Sequence, residues 1–142
     1  MAELNSLNIP VELAQPSTGM ADAVLHELLD NLRNFLETHD AHIIDLSSLP
    51  LSEADKRDLE ERLGQGEIQA VLSTMGDSKI FETNFSGIWW IKHYTTDGVL
   101  IAEFIEITTV PDILKSHDDD IQQSITELEK LIQLEQQEQT YE

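Results

Sequence analysis

The sequence LGQGEIQAVLSTMGDSKIFETNFSGIWWIKHYTTDGVLIAEFIEITTVP, residues 63–111, decides the fold because β-rich runs alternate in it with turn residues. It predicts four consecutive strands, at 67–74, 79–85, 88–95 and 99–109. Short turns that contain glycine separate them, and such spacing favours neighbouring strands that pair with each other. The segment therefore predicts a four-stranded antiparallel meander.

Three turns carry specific backbone expectations. Gly76-Asp77 suits a tight turn with positive φ. Asp97-Gly98 is the strongest hairpin signal in the chain, with positive φ expected at both residues. Ser86-Gly87 marks a turn or bulge before the tryptophan strand; if Gly87 takes positive φ there, a β-branched side chain should be destabilising.

The last strand of the meander is apolar on both faces. One face carries Val99, Ile101, Ile105 and Ile107, and the other carries Leu100, Ala102 and Phe104. Such a strand lies inside a sheet, with helices over at least one face. Pro111 ends it because proline cannot donate to the ladder. Residues 43–46 carry a weaker strand signal outside the meander.

Helical patterns surround the meander. Apolar residues recur at helical spacing through 20–38. Ser52 and Asp55 have the spacing of a capping box, and the helix they begin ends at Leu63-Gly64. A last helix begins at 118–120 with three aspartates, and its apolar stripe is Ile121, Ile125, Leu128, Leu131 and Ile132. The predicted class is α+β: a four-stranded antiparallel meander packed by about three helices.

The predicted organisation is one domain, which suits a length of 142 residues. Residues 1–18 are expected to be an irregular lead-in, 19–134 the single α+β domain, and 135–142 an acidic C-terminal tail.

The charge balance limits the classes of partner. The chain has 28 acidic and 8 basic residues, a formal net charge of −20. Nucleic acid and anionic membrane surfaces are disfavoured because both require a basic footprint. A basic peptide would be attracted, although the charge is also explained by solubility alone.

Composition also limits cofactors and location. The chain has no cysteine, which excludes disulfides and thiolate-held clusters, and we predict no cofactor. The first twenty residues contain no Lys or Arg and no continuous apolar core, so a signal peptide is not supported. No apolar run approaches the ~20 residues of a membrane-spanning helix. A cytoplasmic protein is expected.

Residues 42–114 carry an ordered set of short motifs. These are Ile44-Asp45-Leu46, Leu49-Pro50-Leu51-Ser52, Leu63-Gly64-Gln65-Gly66-Glu67-Ile68, Glu82-Thr83, Phe85-Ser86-Gly87-Ile88-Trp89, Asp97-Gly98-Val99-Leu100, Glu103, Glu106-Ile107 and Val110-Pro111. Together they resemble the C-terminal conserved region of the hydrogenase expression/formation protein family HupH, also called HyaF. The match covers about half the chain, which looks like a single-domain version of a longer protein.

The resemblance implies accessory work in nickel–iron hydrogenase maturation. Members of the family look like helpers of the hydrogenase small subunit while it receives its iron–sulfur clusters, before its twin-arginine leader sends it to the membrane. A chaperone-like factor that binds this client, and is not an enzyme, is therefore expected. An acidic surface could meet the basic leader through carboxylate–guanidinium pairs. The alternative is a generic acidic interaction or oligomerisation module, with the C-terminal helix pairing between copies.

The predicted partner-binding residues follow the meander and the loop before it: Gly66, Glu67, Glu82, Gly87, Trp89, Trp90 and Glu106. Trp89 and Trp90 face opposite sides of a strand, so either both are buried or one is an exposed anchor. Glu103 and Glu106 also face opposite sides, which argues against a catalytic carboxylate pair. Glu103 lies on an apolar face and needs a partner, for which Lys92 or His93 is the candidate.

Other chemical signals are weak. Gly64 and Gly66 resemble a phosphate loop only superficially, because the run precedes a strand and lacks the Lys-Ser/Thr of nucleotide motifs. His39, His42 and His117 do not supply enough local ligands for a metal site, so none is predicted. No nucleophile elbow is present, and no catalytic residues are assigned.

Overall fold

The structure, a computed structural model, describes residues 16–141. Most of the expected irregular lead-in, residues 1–18, therefore lies outside the described residues. The chain divides into two compact units, one that ends at Pro111 and one that begins at Asp112.

In its described part, residues 16–111, the first unit is a five-stranded antiparallel sheet with two α-helices. Its elements in order are α1 (Met20–Thr38), β1 (His42–Asp45), a short 3-10 helix (Leu46–Ser48), α2 (Glu53–Leu63), β2 (Gln69–Ser73), β3 (Asp77–Glu82), β4 (Ile88–Tyr94) and β5 (Leu100–Ile107). The strand order is β1-β5-β4-β3-β2. The α+β class is confirmed, as is the place of β5 inside the sheet.

The predicted count of four strands is wrong, because β1 adds a fifth. It pairs with β5 over four positions, with Ile44 opposite Ile105 and His42 opposite Ile107. A strand that is apolar on both faces needs a neighbour on each edge, and β4 supplies only one of them. The weak signal at 43–46 marks that second neighbour.

Two of the three turn expectations require correction. Gly76 does not have positive φ. Glycine is needed at this position because a Cβ would collide with the carbonyl oxygen of Tyr94. In the β4–β5 hairpin only Gly98 has positive φ, at 82°. The Gly98 N–H donates to the Thr95 carbonyl at 2.9 Å, and the Thr95 N–H donates to Val99 at 2.8 Å. This is a type I turn followed by a glycine bulge, which is the longer hairpin solution.

The core lies between the two helices and one face of the sheet. It contains Ala21, Val24 and Leu28 of α1, Leu59 and Leu63 of α2, and Ile44, Phe81, Ile88, Trp90, Ile105 and Ile107 of the sheet. Burial of each large apolar side chain stabilises the fold by roughly 1.5–3 kcal/mol. On the opposite face of the sheet Ile80, Trp89 and Ile91 are also buried. The sheet therefore has buried side chains on both faces.

Asp55 joins the beginnings of α1 and α2. The predicted capping box is confirmed: Asp55 N–H donates to Ser52 Oγ, and Ser52 N–H donates to Asp55 Oδ2. Asp55 is fully buried and also accepts from Ser17 Oγ at 3.1 Å and from the Thr18 N–H at 2.8 Å and Thr18 hydroxyl at 2.6 Å. Burial alone would raise its pKa, but the hydrogen bonds from Thr18 and Ser52 outweigh it and lower the pKa well below the usual range.

The second unit contains a 3-10 turn, Asp112–Leu114, and one long helix, α3 (Asp118–Tyr141). The helix begins at the three aspartates, as predicted, and continues to Tyr141 through the glutamine- and glutamate-rich segment after Leu134. Its apolar residues Ile121, Ile125, Leu128, Leu131 and Ile132 are all exposed.

Candidate protein-docking surface

The end of the sheet that carries the predicted site residues is built on a close backbone contact. The Gly66 N–H donates to the Glu82 carbonyl at 2.7 Å. A Cβ at Gly66 would lie 2.6 Å from the Thr83 carbonyl oxygen, so only glycine fits there. Glu67, the next residue, is exposed. The contact fixes the Gly66-Glu67 loop against the end of β3.

Three predicted site residues form one row across the sheet. Glu82 on β3, Trp89 on β4 and Glu106 on β5 are directly opposite one another and share a face. Trp89 is buried and donates from Nε1 to the Thr108 carbonyl at 3.2 Å. Glu106 is buried too, and Glu82 is half-buried. The structure therefore brings these three together, with Glu82 alone partly open to solvent.

Trp90 lies on the opposite face, in the core. It is fully buried, stacks on Phe81 with the ring centroids 6.4 Å apart, and donates from Nε1 to Glu103 Oε2 at 2.9 Å. Since Trp89 is also buried, neither tryptophan is an exposed anchor. The expectation that Glu103 and Glu106 face opposite sides is confirmed.

The predicted partner of Glu103 is wrong. Its carboxylate pairs with Lys56 of α2, with Nζ to Oε1 at 3.9 Å, in addition to the Trp90 bond. Lys92, which is opposite Glu103 in the ladder, instead binds Glu60 Oε1 at 2.6 Å. Sequence reasoning considered only the neighbouring strand, whereas the helix above the sheet supplies the cation.

Gly87 ends a rigid turn between β3 and β4. Its φ is 92°, and a Cβ there would lie 3.3 Å from Leu32 Cδ2 of α1. Within the turn, Thr83 Oγ1 donates to the Ile88 carbonyl at 2.9 Å, and the Ile88 N–H donates to Phe85 at 3.0 Å. These bonds hold Phe85 at the tip of the turn, outside β3, although the sequence predicted it within that strand.

Phe85 borders an apolar groove that sequence reasoning did not find. The side chain of Phe85 is 50% exposed and that of Leu29 is 44% exposed. With Leu25, Leu28, Leu32, Leu63 and Ile88 they line a groove of about 130 Å³ between α1 and the turn. The available signals were Phe85 beside the Ser86-Gly87 turn and Leu29 at the margin of the α1 stripe.

The remaining candidates are the histidines outside the meander. No group of three or more His, Asp or Glu within residues 16–141 is arranged to hold a metal ion. The His39 ring packs on Phe35 at 5.6 Å, and His42 Nε2 lies 4.0 Å from Glu27 Oε1. Among the helices that the structure describes, none combines the length and the apolar character needed to cross a membrane.

Comparison with known proteins identifies the family. Residues 19–134 match the family model described as HupH hydrogenase expression protein, C-terminal conserved region. This chain belongs to the HupH family. A solved structure of the hydrogenase expression protein HupH from Thiobacillus denitrificans has a TM-score of 0.79 and 37% identity, and the match covers 82% of this chain and 98% of that one.

Curated HupH relatives agree with this result. The chain is 32% identical over 124 residues to the hydrogenase expression/formation protein HoxQ of Azotobacter vinelandii. The matched region covers 84% of this chain and 44% of HoxQ. It is also 30% identical over 123 residues to the hydrogenase-1 operon protein HyaF of Escherichia coli K12. That matched region covers 85% of this chain and 42% of HyaF. The chain thus spans less than half the length of these relatives.

Proposed function

We propose that this HupH-family chain is a chaperone-like accessory factor in nickel–iron hydrogenase maturation. It binds a protein client such as the hydrogenase small subunit in the cytoplasm and catalyses no reaction itself. Support comes from the family, whose members are named for hydrogenase expression and formation. The client and the non-catalytic mode of action are our proposals.

The observation that carries the proposal is the exposed apolar groove with Phe85 at its border. An aromatic side chain on a rigid turn loses little conformational freedom when a partner covers it, which favours an anchoring role. Phe85 is held by the Thr83 hydrogen bonds, and Leu29 extends the apolar surface along α1. We propose that the client buries Phe85 and Leu29.

The residues predicted from the sequence then divide into two roles. Five of them shape and support the end of the sheet: Gly66 fits a tight backbone contact, Gly87 takes positive φ in the turn, and Trp89, Trp90 and Glu106 are buried. Glu67 and Glu82 reach solvent, and they are the predicted residues that we propose contact the client.

The net charge of −20 suggests which part of the client is recognised. A leader rich in arginine would be drawn to the surface by long-range attraction and held by carboxylate–guanidinium pairs. The apolar groove and the charge act separately, so each can be tested by itself.

The test measures binding of a purified hydrogenase small subunit by calorimetry. We expect Phe85→Ala to weaken binding at least tenfold, because it removes the exposed aromatic ring. The matched control is Met75→Ala, which truncates an 88% exposed apolar side chain in the β2–β3 loop and should leave affinity unchanged. Absence of measurable binding, or equal losses in both variants, would reject the docking surface.

A second arm of the experiment uses the small subunit with and without its leader. We expect the form that carries the leader to bind more tightly at low salt, and the difference to shrink as salt is raised. Equal affinity of the two forms, or a preference insensitive to salt, would reject recognition of the leader while leaving the groove in place.

A second candidate function is self-association through α3. Its stripe of Ile121, Ile125, Leu128 and Ile132 is exposed and has the alternating spacing of four and three residues found in helix pairs. This function predicts a dimer without any client. Sedimentation of the protein alone distinguishes it from the client-binding proposal.

A further inference from the structure

The outer edge of β2 lacks the features that usually protect a sheet edge. Within residues 16–141 no strand pairs with it, since β3 is the only neighbour of β2. Its five residues, Gln69–Ser73, include no charge and no proline, although a quarter of the chain is charged. Ile68 and Val71 are also exposed. Natural proteins blunt such edges with charge or proline unless the edge pairs with another segment.

A lysine pair lies beside this edge on the face that carries the helices. Val71, Lys79 and Lys92 are directly opposite one another across β2, β3 and β4. Two like charges at directly opposite positions destabilise a sheet unless each is compensated. Glu60 compensates Lys92 with a contact of 2.6 Å. Lys79 forms no ion pair with the described residues, and its ammonium group lies 5.3 Å from the centre of the Tyr94 ring.

The two lysines border a concavity of about 420 Å³. Its wall includes Gln69, Phe81 and Tyr94 together with Glu60 at the end of α2. The volume is in the range of ordinary binding clefts. Lys79 is therefore a cation without an ion-pair partner among the described residues. It borders a concave site that lies directly beside an edge able to accept a strand.

We propose that the β2 edge binds an extended segment of another protein that carries an Asp or Glu side chain. The segment adds to the sheet as a sixth strand, and main-chain hydrogen bonds supply the affinity. Its residue opposite Val71 projects onto the same face as Lys79, roughly 10 Å away across two strand spacings. Long side chains on both partners bridge that distance, so the carboxylate pairs with Lys79.

A second copy of this chain fits the same edge less well. Pairing of β2 with itself would bring Gln69–Ser73 to the edge, which offers no carboxylate to Lys79. It would also bring together two chains of charge −20. The occupant is thus a different segment, and the site shares no lining residue with the Phe85 groove.

The test uses two synthetic ten-residue peptides of alternating threonine and valine, one with a central glutamate and one with glutamine in its place. Fluorescence anisotropy measures the affinity of each peptide for the full chain. We expect the glutamate peptide to bind at least fivefold more tightly. The direction is diagnostic, because the overall charge of −20 repels the glutamate peptide and only a local cation reverses that preference.

Three variants locate the effect. Lys79→Gln should remove the preference, whereas Arg33→Gln, which deletes an exposed cation on α1, should retain it. Val71→Glu places a carboxylate opposite Lys79 and should also remove it. In amide NMR spectra the peptide should shift the signals of residues 69–73.

Several results would overturn the proposal. These are no saturable binding, equal affinity for the two peptides, a glutamate preference that survives Lys79→Gln, or shifted amides that exclude β2. None of them bears on the groove around Phe85, which the calorimetry with Phe85→Ala tests separately.

Discussion

Helices α1 and α3 both carry an apolar stripe, but the two stripes differ in exposure. The stripe residues Val24 and Leu28 of α1 are each 1% exposed, whereas Ile125 and Leu128 of α3 are 47% and 57% exposed. Helical periodicity identifies the apolar face of a helix, but it does not identify what covers that face. Two further contacts fix α1: its Leu32 lies over Gly87, and its lead-in residues bind Asp55.

The largest expected difference is between truncations of the two stripes. Leu28→Ala should lower the free energy of unfolding by about 3 kcal/mol, because it leaves a cavity in a packed core. Leu128→Ala should change it by less than about 0.5 kcal/mol, because the side chain is already exposed. Urea unfolding, followed by tryptophan fluorescence, measures both.

Unfolding measured at several protein concentrations tests whether the α3 stripe is covered by a second copy. If α3 pairs between copies, the effect of Leu128→Ala on unfolding should grow with concentration, since association stabilises the folded state by mass action. An effect of Leu128→Ala as large as that of Leu28→Ala at micromolar concentration would show that the α3 stripe is covered in the monomer, and the contrast would be lost.

The next effect concerns two glycines that share positive φ but differ in their surroundings. Gly87→Val should destabilise by about 2–3 kcal/mol, because it strains the backbone and pushes against Leu32 of α1. Gly98→Val should lower the free energy of unfolding by only about 1 kcal/mol, from backbone strain alone, because a Cβ there meets nothing within 4 Å. Thermal unfolding of the two variants provides the measurement.

Equal costs at the two positions would mean that Leu32 moves aside without penalty. α1 would then be less firmly packed on the β3–β4 turn than the structure indicates. A cost below about 1 kcal/mol for Gly87→Val would show that its positive φ carries no strain.

Local rules explain what could be predicted from the sequence. The bounds of α1 and the capping box at Ser52 depend on neighbours in sequence, and both were predicted correctly. The sequence marked residues 43–46 as a weak strand but not as part of the sheet, because these residues join it only by pairing with distant β5. Tertiary pairing, which hydrophobic periodicity does not encode, determines that β1 belongs to the sheet.

The geometry of the candidate surface could be predicted only in part, for the same reason. The motifs named Gly66, Glu82 and Trp89, and the structure places these three residues at one end of the sheet. The groove at Phe85 depends on the packing of α1 against a turn, and the partner of Glu103 depends on α2 lying above the sheet. Helix placement over a sheet has no local sequence signal.

The beginnings of the two helices provide the smallest expected effect. The residues before α1 are tied to buried Asp55, whereas α3 begins with three exposed aspartates. Asp55→Asn should therefore destabilise the protein at pH 7 by at least about 1 kcal/mol, because the amide cannot accept the same hydrogen bonds. Asp119→Asn, the control at the beginning of α3, should change stability by less than about 0.5 kcal/mol.

The pH dependence of stability distinguishes the contribution of the Asp55 charge from that of side-chain packing. Its pKa is lowered in the folded state, so its stabilisation is present above the unfolded pKa of about 3.9 and is lost as pH falls toward the folded pKa. The gap in urea midpoint between wild type and Asp55→Asn should be constant from pH 7 to about 5 and narrow below about 4. A gap that stays constant down to pH 3 would show that the carboxylate charge does not contribute, and that the joint between α1 and α2 depends on packing alone.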